Sequence, residues 1–268
     1  MTADSFFVPE GDSSAGRAYA STVHTTGPWD PRAQHGGPPT ALIGHVLDAD
    51  HPREGFQTVR VTVEILRPVP VARLHVATEL LRGGRSVELL GATMTTDDGT
   101  PVATARSWRI RTTDLPLHAG VEGDPVTGPD GIEAADEFFT GIGHTGYAQA
   151  MEVRFAEGGW NAFGPAVAWM RMRHPLVPDA APSPLERVLI AADSGNGVSA
   201  RFRGLFINPD LTVYLTRLPE GEWVCLQAAT TLTDHGIGMA ASVLHDERGP
   251  LGRGLQSLLL DRGGIGQG

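Results

Sequence analysis

The chain reads as an α+β protein built from two copies of one unit, each a helix followed by four antiparallel strands. Three observations predict this. Short segments alternate apolar and polar residues, the signature of half-buried strands. Gly-rich and Asp-rich breaks separate them, as hairpin turns require. The same order of elements returns at a constant offset of 150 residues.

In the first copy, residues 38–50 (PPTALIGHVLDAD) predict the helix. Two prolines open it, apolar residues recur at helical spacing, and Pro52 closes it. Residues 58–68 (TVRVTVEILRP) alternate as a strand. Segments 72–81, 86–96 and 100–111 follow, with turn signals at Gly83–Gly84 and at Asp97–Gly99. In the second copy, residues 183–192 (SPLERVLIAA) predict a helix with a serine-proline start. Strands follow over 211–218, 223–234, 238–245 and 251–261. Arg67 matches Arg217, Asp98–Gly99 matches Arg248–Gly249, and Trp108 falls on Leu258, each 150 residues apart. Residues 112–136 are rich in Gly, Pro and acids and lack periodicity, as a linker does. The expected organisation is one domain over 1–115, a linker over 116–145 and a second domain over 146–268.

Composition narrows the function. Thirty-one acidic residues stand against 21 basic ones, a formal net charge of −10. That balance argues against nucleic acid as a partner, because phosphate binding needs a basic face. A local cationic patch still suffices for a small anionic ligand. The lone Cys225 forms no internal disulfide and reads as a small buried hydrophobe. The N-terminal MTADSFFVPEGDSSAG lacks the basic and apolar regions of a signal peptide, and no apolar run approaches the ~18 residues of a membrane span. The expectation is a cytoplasmic protein with no membrane partner.

The segment 34–47 (QHGGPPTALIGHVL) resembles the aromatic-Gly-Gly-Gln opening of the first hotdog helix in bacterial acyl-CoA thioesterase II. Residues 151–174 (MEVRFAEGGWNAFGPAVAWMRMRH) resemble the first strands of that family's second hotdog. Ala191–Ser194 resembles its Ala-Ser-Asp-Phe segment, residues 208–217 (NPDLTVYLTR) its Thr-Ile-Asp-His-Ser strand, and Leu255–Ser257 its Val-Gln-Glu strand. The resemblance spans about residues 18–262. It implies a tandem (double) hotdog, each half a central helix wrapped by a curved antiparallel sheet. It also implies hydrolysis of fatty acyl-CoA to free acid and coenzyme A, the latter being part of the substrate rather than a cofactor. In that family Asp, Thr and Gln hold the attacking water. The Asp carries over to Asp193 and the Gln to Gln256, whereas Asn208 stands in place of the Thr, and Pro38 in place of the Gln after Gly-Gly.

Each residue also has a plainer reading. Asp193 is either the group that takes the water's proton or a solvent-facing residue at a helix end. Gln256 either positions the water or faces outward from an alternating strand. Asn208 either shares that task or, before Pro209, makes a turn. His35 either contacts substrate or only opens the helix. Gly36 and Gly37 either let a thioester oxygen approach backbone N–H groups at the helix start or only allow the tight turn.

Other signals are rejected. Residues 141–146 (GIGHTG) match G-x-G-x-x-G without a βαβ setting. No G-x-S-x-G elbow occurs, and the ten histidines form no metal-binding motif, so no metal is expected. The five tryptophans are spread along the chain and read as core or tunnel wall. Two rival functions remain: an acyl-CoA or lipid-binding protein without turnover, and a hydratase. The hydratase would want D-x-x-x-x-H, and Val198 stands where the His would be. Self-association is compatible with the sequence, which sets no stoichiometry.

Overall fold

The computed structural model describes residues 4–115, 126–135 and 146–261. The first half contains β1 (Phe7–Ser13), β2 (Gly16–Ser21), α1 (Gly37–Asp50), β3 (Phe56–Ile65), β4 (Arg73–Arg82), β5 (Val87–Thr96) and β6 (Pro101–Arg111). The second contains α2 (Tyr147–Ala150), β7 (Met151–Glu157), β8 (Ala166–Met172), α3 (Pro184–Ala192), α4 (Gly195–Val198), β9 (Leu205–Ile207), β10 (Asp210–Leu215), β11 (Val224–Leu232), β12 (Ile237–Asp246) and β13 (Gly249–Asp261). Each predicted helix and strand is present, with ends shifted by up to three residues. The hairpin β1–β2, the short β9 and the single-turn helices α2 and α4 are additional. The first carries Pro9, Gly11 and mostly exposed residues, so its alternation is weak.

One antiparallel sheet runs through both halves in the order β1-β2-β4-β5-β6-β3-β10-β13-β12-β11-β8-β7, with β9 paired to β13. Its centre is the pairing of β3 with β10, where the offset of 150 acquires a geometric meaning. Thr62 faces Thr212, Arg60 faces Tyr214 and Glu64 faces Asp210. Residues 150 apart therefore meet at Thr62 and Thr212, and the flanking pairs exchange symmetrically about them. A local two-fold axis passes between these threonines, whose hydroxyls are 3.2 Å apart.

The two long helices lie against each other inside the sheet. Residues 37–44, 46 and 47 of α1 are buried, so this helix is apolar around most of its circumference, as a central helix must be. Close packing depends on Gly44, where a Cβ would fall 2.5 Å from Leu189 Cδ1 of α3. His45 Nδ1 and Glu186 Oε1 meet at 2.8 Å between the helices. Glu186 also closes a capping box with Ser183, which fixes the start of α3. Leu42, Ile43 and Val46 of α1 and Val188, Leu189 and Ile190 of α3 join strand residues such as Val61, Leu74, Leu90 and Val213 in one core. Complete burial of such side chains contributes about 1.5–3 kcal/mol each.

Of the expected linker, 116–125 and 136–145 lie outside the described residues, as do 141–145 of the rejected glycine motif. Residues 126–135 dock on the outer face of the second half. Val126 and Ile132 pack against Trp169, Trp223 and Cys225, and Trp169 Nε1 donates to Thr127 O at 2.6 Å. No helix among the described residues is long and apolar enough to cross a membrane.

Candidate active site

The candidate site lies where the end of α3 meets the start of α1. The α3 helix ends at Asp193, whose side chain is only 3% exposed, so the solvent-facing reading does not hold. A buried carboxylate needs hydrogen-bond donors. Two amides supply them: Asn208 Nδ2 donates to Asp193 Oδ1 at 2.8 Å, and Gln256 Nε2 donates to the same oxygen at 3.2 Å. Gln256 also donates to Asp193 O at 2.9 Å and accepts from Asn196 N at 3.1 Å. It is 2% exposed on β13, which excludes the outward-facing reading. Its amide group thereby holds the carboxylate and the end of α3 in place. Asn208 precedes β10, donates also to Asp210 O, and accepts from Asn196 Nδ2 at 3.2 Å. It thus braces the segment between β9 and β10 and meets Asp193 at once.

Asp193 Oδ2 faces the first half. Around it lie Gly36, where a Cβ would fall 2.7 Å from Oδ2, and His35, whose Nδ1 is 3.1 Å away. Gly37 N–H donates to the same Nδ1 at 3.1 Å, and of these two neighbours only Gly37 has hydrogen-bonding alignment. Gly37 is engaged by His35, Pro38 and Pro39 carry no N–H, and Gly36 N–H has no acceptor among the described residues. At Gly37 a Cβ would fall 2.4 Å from Ile190 O, so this glycine serves the approach of the two helices.

The six predicted residues are thus brought together from both halves. Three others were missed. The Tyr147 ring stacks on His35 at 3.8 Å between centroids and 12° between planes. Its hydroxyl donates to Ile190 O at 2.8 Å and pairs with Ser194 Oγ at 2.9 Å. Asn196 joins the two amides. Only the closeness of Ser194 and Asn196 to Asp193 in sequence offered a signal; Tyr147 had none. Burial pushes the His35 imidazole below its usual range, against an opposing pull from Asp193, and pushes the Tyr147 phenol far up.

A cavity of about 410 Å³ opens onto this cluster. Asp193, Asn208, His35 and Gly36 line its polar end, while Trp29, Ile65, Leu66, Val69 and Phe206 form apolar wall. Such a volume and lining suit a small, largely apolar ligand. Trp29 meets Phe206 edge-to-face at 5.2 Å and 81°. Elsewhere, Asp4, His24 and His174 come close enough to suggest a metal site, a group the scattered histidines of the sequence did not reveal. The two imidazoles, however, are stacked at 4.0 Å and 23°. Nearly parallel rings do not aim their in-plane lone pairs at one point, so the group fits a metal poorly.

Two helices back to back within one continuous antiparallel sheet, with a site at the junction of the halves, define a double hotdog. Residues 25–110 match the acyl-CoA thioesterase N-terminal domain and residues 122–260 the acyl-CoA thioesterase C-terminal domain. The chain belongs to this acyl-CoA thioesterase family. Among solved structures it is similar to a hotdog protein of Alicyclobacillus acidocaldarius, with 19% identity, TM-score 0.72, and coverage of 93% of this chain and 95% of that one. It is likewise similar to the tesB protein of Mycobacterium avium subs paratuberculosis (14%, TM-score 0.67, coverage 91% and 93%). The third is acyl-CoA thioesterase II TesB2 of Mycobacterium marinum (12%, TM-score 0.63, coverage 94% and 94%). No curated relative matches the chain.

Proposed function

We propose that the chain hydrolyses acyl-CoA thioesters with a water activated by Asp193. The observation that carries this reading is the arrangement of one buried carboxylate. Asn208 and Gln256 fix Oδ1, and the carboxylate borders the cavity, leaving Oδ2 to take a proton. Water attacks the thioester carbon as Asp193 removes its proton. The C–S bond then breaks, and the proton passes to the departing CoA thiolate. Gly36 N–H is the backbone donor left at the start of α1 for the developing oxyanion. The acyl chain lies against Trp29, Leu66 and Phe206.

Release of CoA from short, medium and long acyl-CoAs tests this, with Asp193→Asn beside the wild type. The expected result is turnover that falls by about 10²-fold or more in the variant while acyl-CoA still binds. Unchanged turnover removes Asp193 from the role. Binding without turnover in both proteins favours the ligand-binding alternative.

A hydratase reading gains one observation. The histidine absent after Asp193 is supplied from the other half by His35, whose Nδ1 lies 3.1 Å from the carboxylate. Crotonyl-CoA separates the two chemistries: loss of the enoyl absorbance without free thiol reports hydration, and free thiol reports hydrolysis.

A further inference from the structure

We propose that His35 is a catalytic residue whose Nε2–H donates to the carbonyl oxygen of the bound thioester and stabilises the oxyanion formed on attack. The inference rests on the reading of the cavity as an acyl-CoA site and assigns a task to the ring that borders it.

The ring's orientation and tautomer follow from its neighbours. Two groups lie 3.1 Å from Nδ1: Asp193 Oδ2, which is not aligned for a hydrogen bond, and Gly37 N–H, which is, so we assign the lone pair to Nδ1 and the proton of the neutral ring to Nε2. The Tyr147 ring covers one face of the imidazole, and its own hydroxyl is tied to Ile190 O and Ser194 Oγ, so the stack cannot slide. Nε2 accepts and donates no hydrogen bond among the described residues, yet it is not among the buried polar atoms left without a partner. It therefore keeps some exposed surface on a side chain that is 15% exposed, and the space His35 borders is the cavity that also holds Asp193 and Gly36. Burial lowers the imidazole's pKa against an opposing pull from Asp193, which favours the neutral ring, in which a single N–H is a donor without a full charge to desolvate.

Chemistry supplies the reason for such a donor. Negative charge develops on the carbonyl oxygen as water adds, and fixed donors there lower the barrier without reorganising. Only Gly36 N–H remains at the start of α1, because Gly37 is engaged and two prolines follow. A second donor from His35 completes a pair.

The test uses His35→Phe, which keeps a ring for Tyr147 to stack on, and His35→Gln, which restores an N–H donor. The expected kcat falls by about 10²-fold in His35→Phe with little change in acyl-CoA affinity, and recovers in part in His35→Gln. A second readout does not depend on turnover. In the Asp193→Asn background, the infrared carbonyl band of a ¹³C-labelled acyl-CoA shifts to lower frequency on binding, and adding His35→Phe removes most of that shift. Equal kcat with and without His35, or a band shift that survives His35→Phe, overturns the proposal. A His35-dependent shift in a chain that hydrolyses no thioester upholds the donor while the hydrolase reading falls. No binding of any acyl-CoA ends both.

Discussion

A methyl group on Gly36 would lie 2.7 Å from Asp193 Oδ2 and 2.9 Å from Oδ1, against a side chain held in place by two amides. Gly36→Ala is therefore expected to lower CoA release by at least an order of magnitude, because small misplacements of a reacting group cost about 10²-fold. Its thermal midpoint should also fall, as differential scanning fluorimetry checks, because the displaced carboxylate strains its hydrogen bonds to Asn208 and Gln256. Gly37→Ala meets the backbone oxygen of Ile190 instead, and should cost stability of about 1–3 kcal/mol in denaturant unfolding. Cys225 gives a third residue-level expectation. It is fully buried, and burial pushes its thiol up to about 12. A disulfide reagent should find no protein thiol in the native chain and one after denaturation, so the chain adds no background to a CoA-release assay. Asp193, Gln256 and Asn208 were legible as a set because the resemblance ordered them. Their distances were not, since an amide on β13 and one before β10 reach the same oxygen only through the sheet register. His35 near Asp193 was less legible still. A spacing rule searches along one stretch, whereas this contact joins residues of different halves.

Among the elements, β9 is the one that shapes the cavity without belonging to the repeat. It has three residues and pairs only with the end of β13, where Phe206 faces Leu260. Phe206 is 7% exposed and meets Trp29 from the loop before α1. This contact crosses the cavity wall from one half to the other, so under the proposed function it limits the apolar chain that fits beyond Asp193. Removing either ring is expected to move the kcat/KM optimum toward longer acyl chains, as a profile from acetyl- to palmitoyl-CoA would reveal. An unchanged profile would mean that the chain runs elsewhere, along Ile65 and Val69. The long strands and both helices were legible because alternation, turn residues and the capping box are local. The hairpin β1–β2 and β9 were not. The hairpin turns most of its first strand outward, and β9 is too short to alternate.

At the scale of the whole molecule, burial has a cost that depends on pH. His24, His35 and His245 are all held below the usual imidazole range, chiefly by burial. A depressed imidazole binds its proton more weakly folded than unfolded, so the unfolded chain gains protons first on acidification. Their contribution is fully present above about 6.5, the unfolded value, and is lost as pH falls through the folded values. The urea midpoint should therefore drop between about pH 8 and pH 5.5; an unchanged midpoint would mean that the imidazoles titrate normally. The repeat itself was legible as an offset, and its two-fold axis at Thr62 and Thr212 follows from that offset once β3 pairs with β10. What the offset does not convey is how far the copies have diverged around the site. Aligned on their caps, Ser183 and Gly36, the helices place Val46 where α3 ends in Asp193. Aligned on the strands, Thr58 stands for Asn208 and Arg106 for Gln256. The image of the site is instead a cavity of about 250 Å³ bordered by Asp48, Arg53, Thr58 and Arg109. Arg53 and Arg109 both pair there with the buried Glu88. That cavity carries two arginines and Asp48 beside Phe56, Leu185 and Leu218, and it has no counterpart of the Asn208–Gln256 pair, so two-fold symmetry of the backbone does not yield two equivalent sites. Calorimetric titration with a non-hydrolysable acyl-CoA thioether should give one ligand per chain, and His35→Phe together with Asp193→Asn should change the binding heat without altering that ratio. A ratio of two would show that the first half has kept a site which its side chains do not predict.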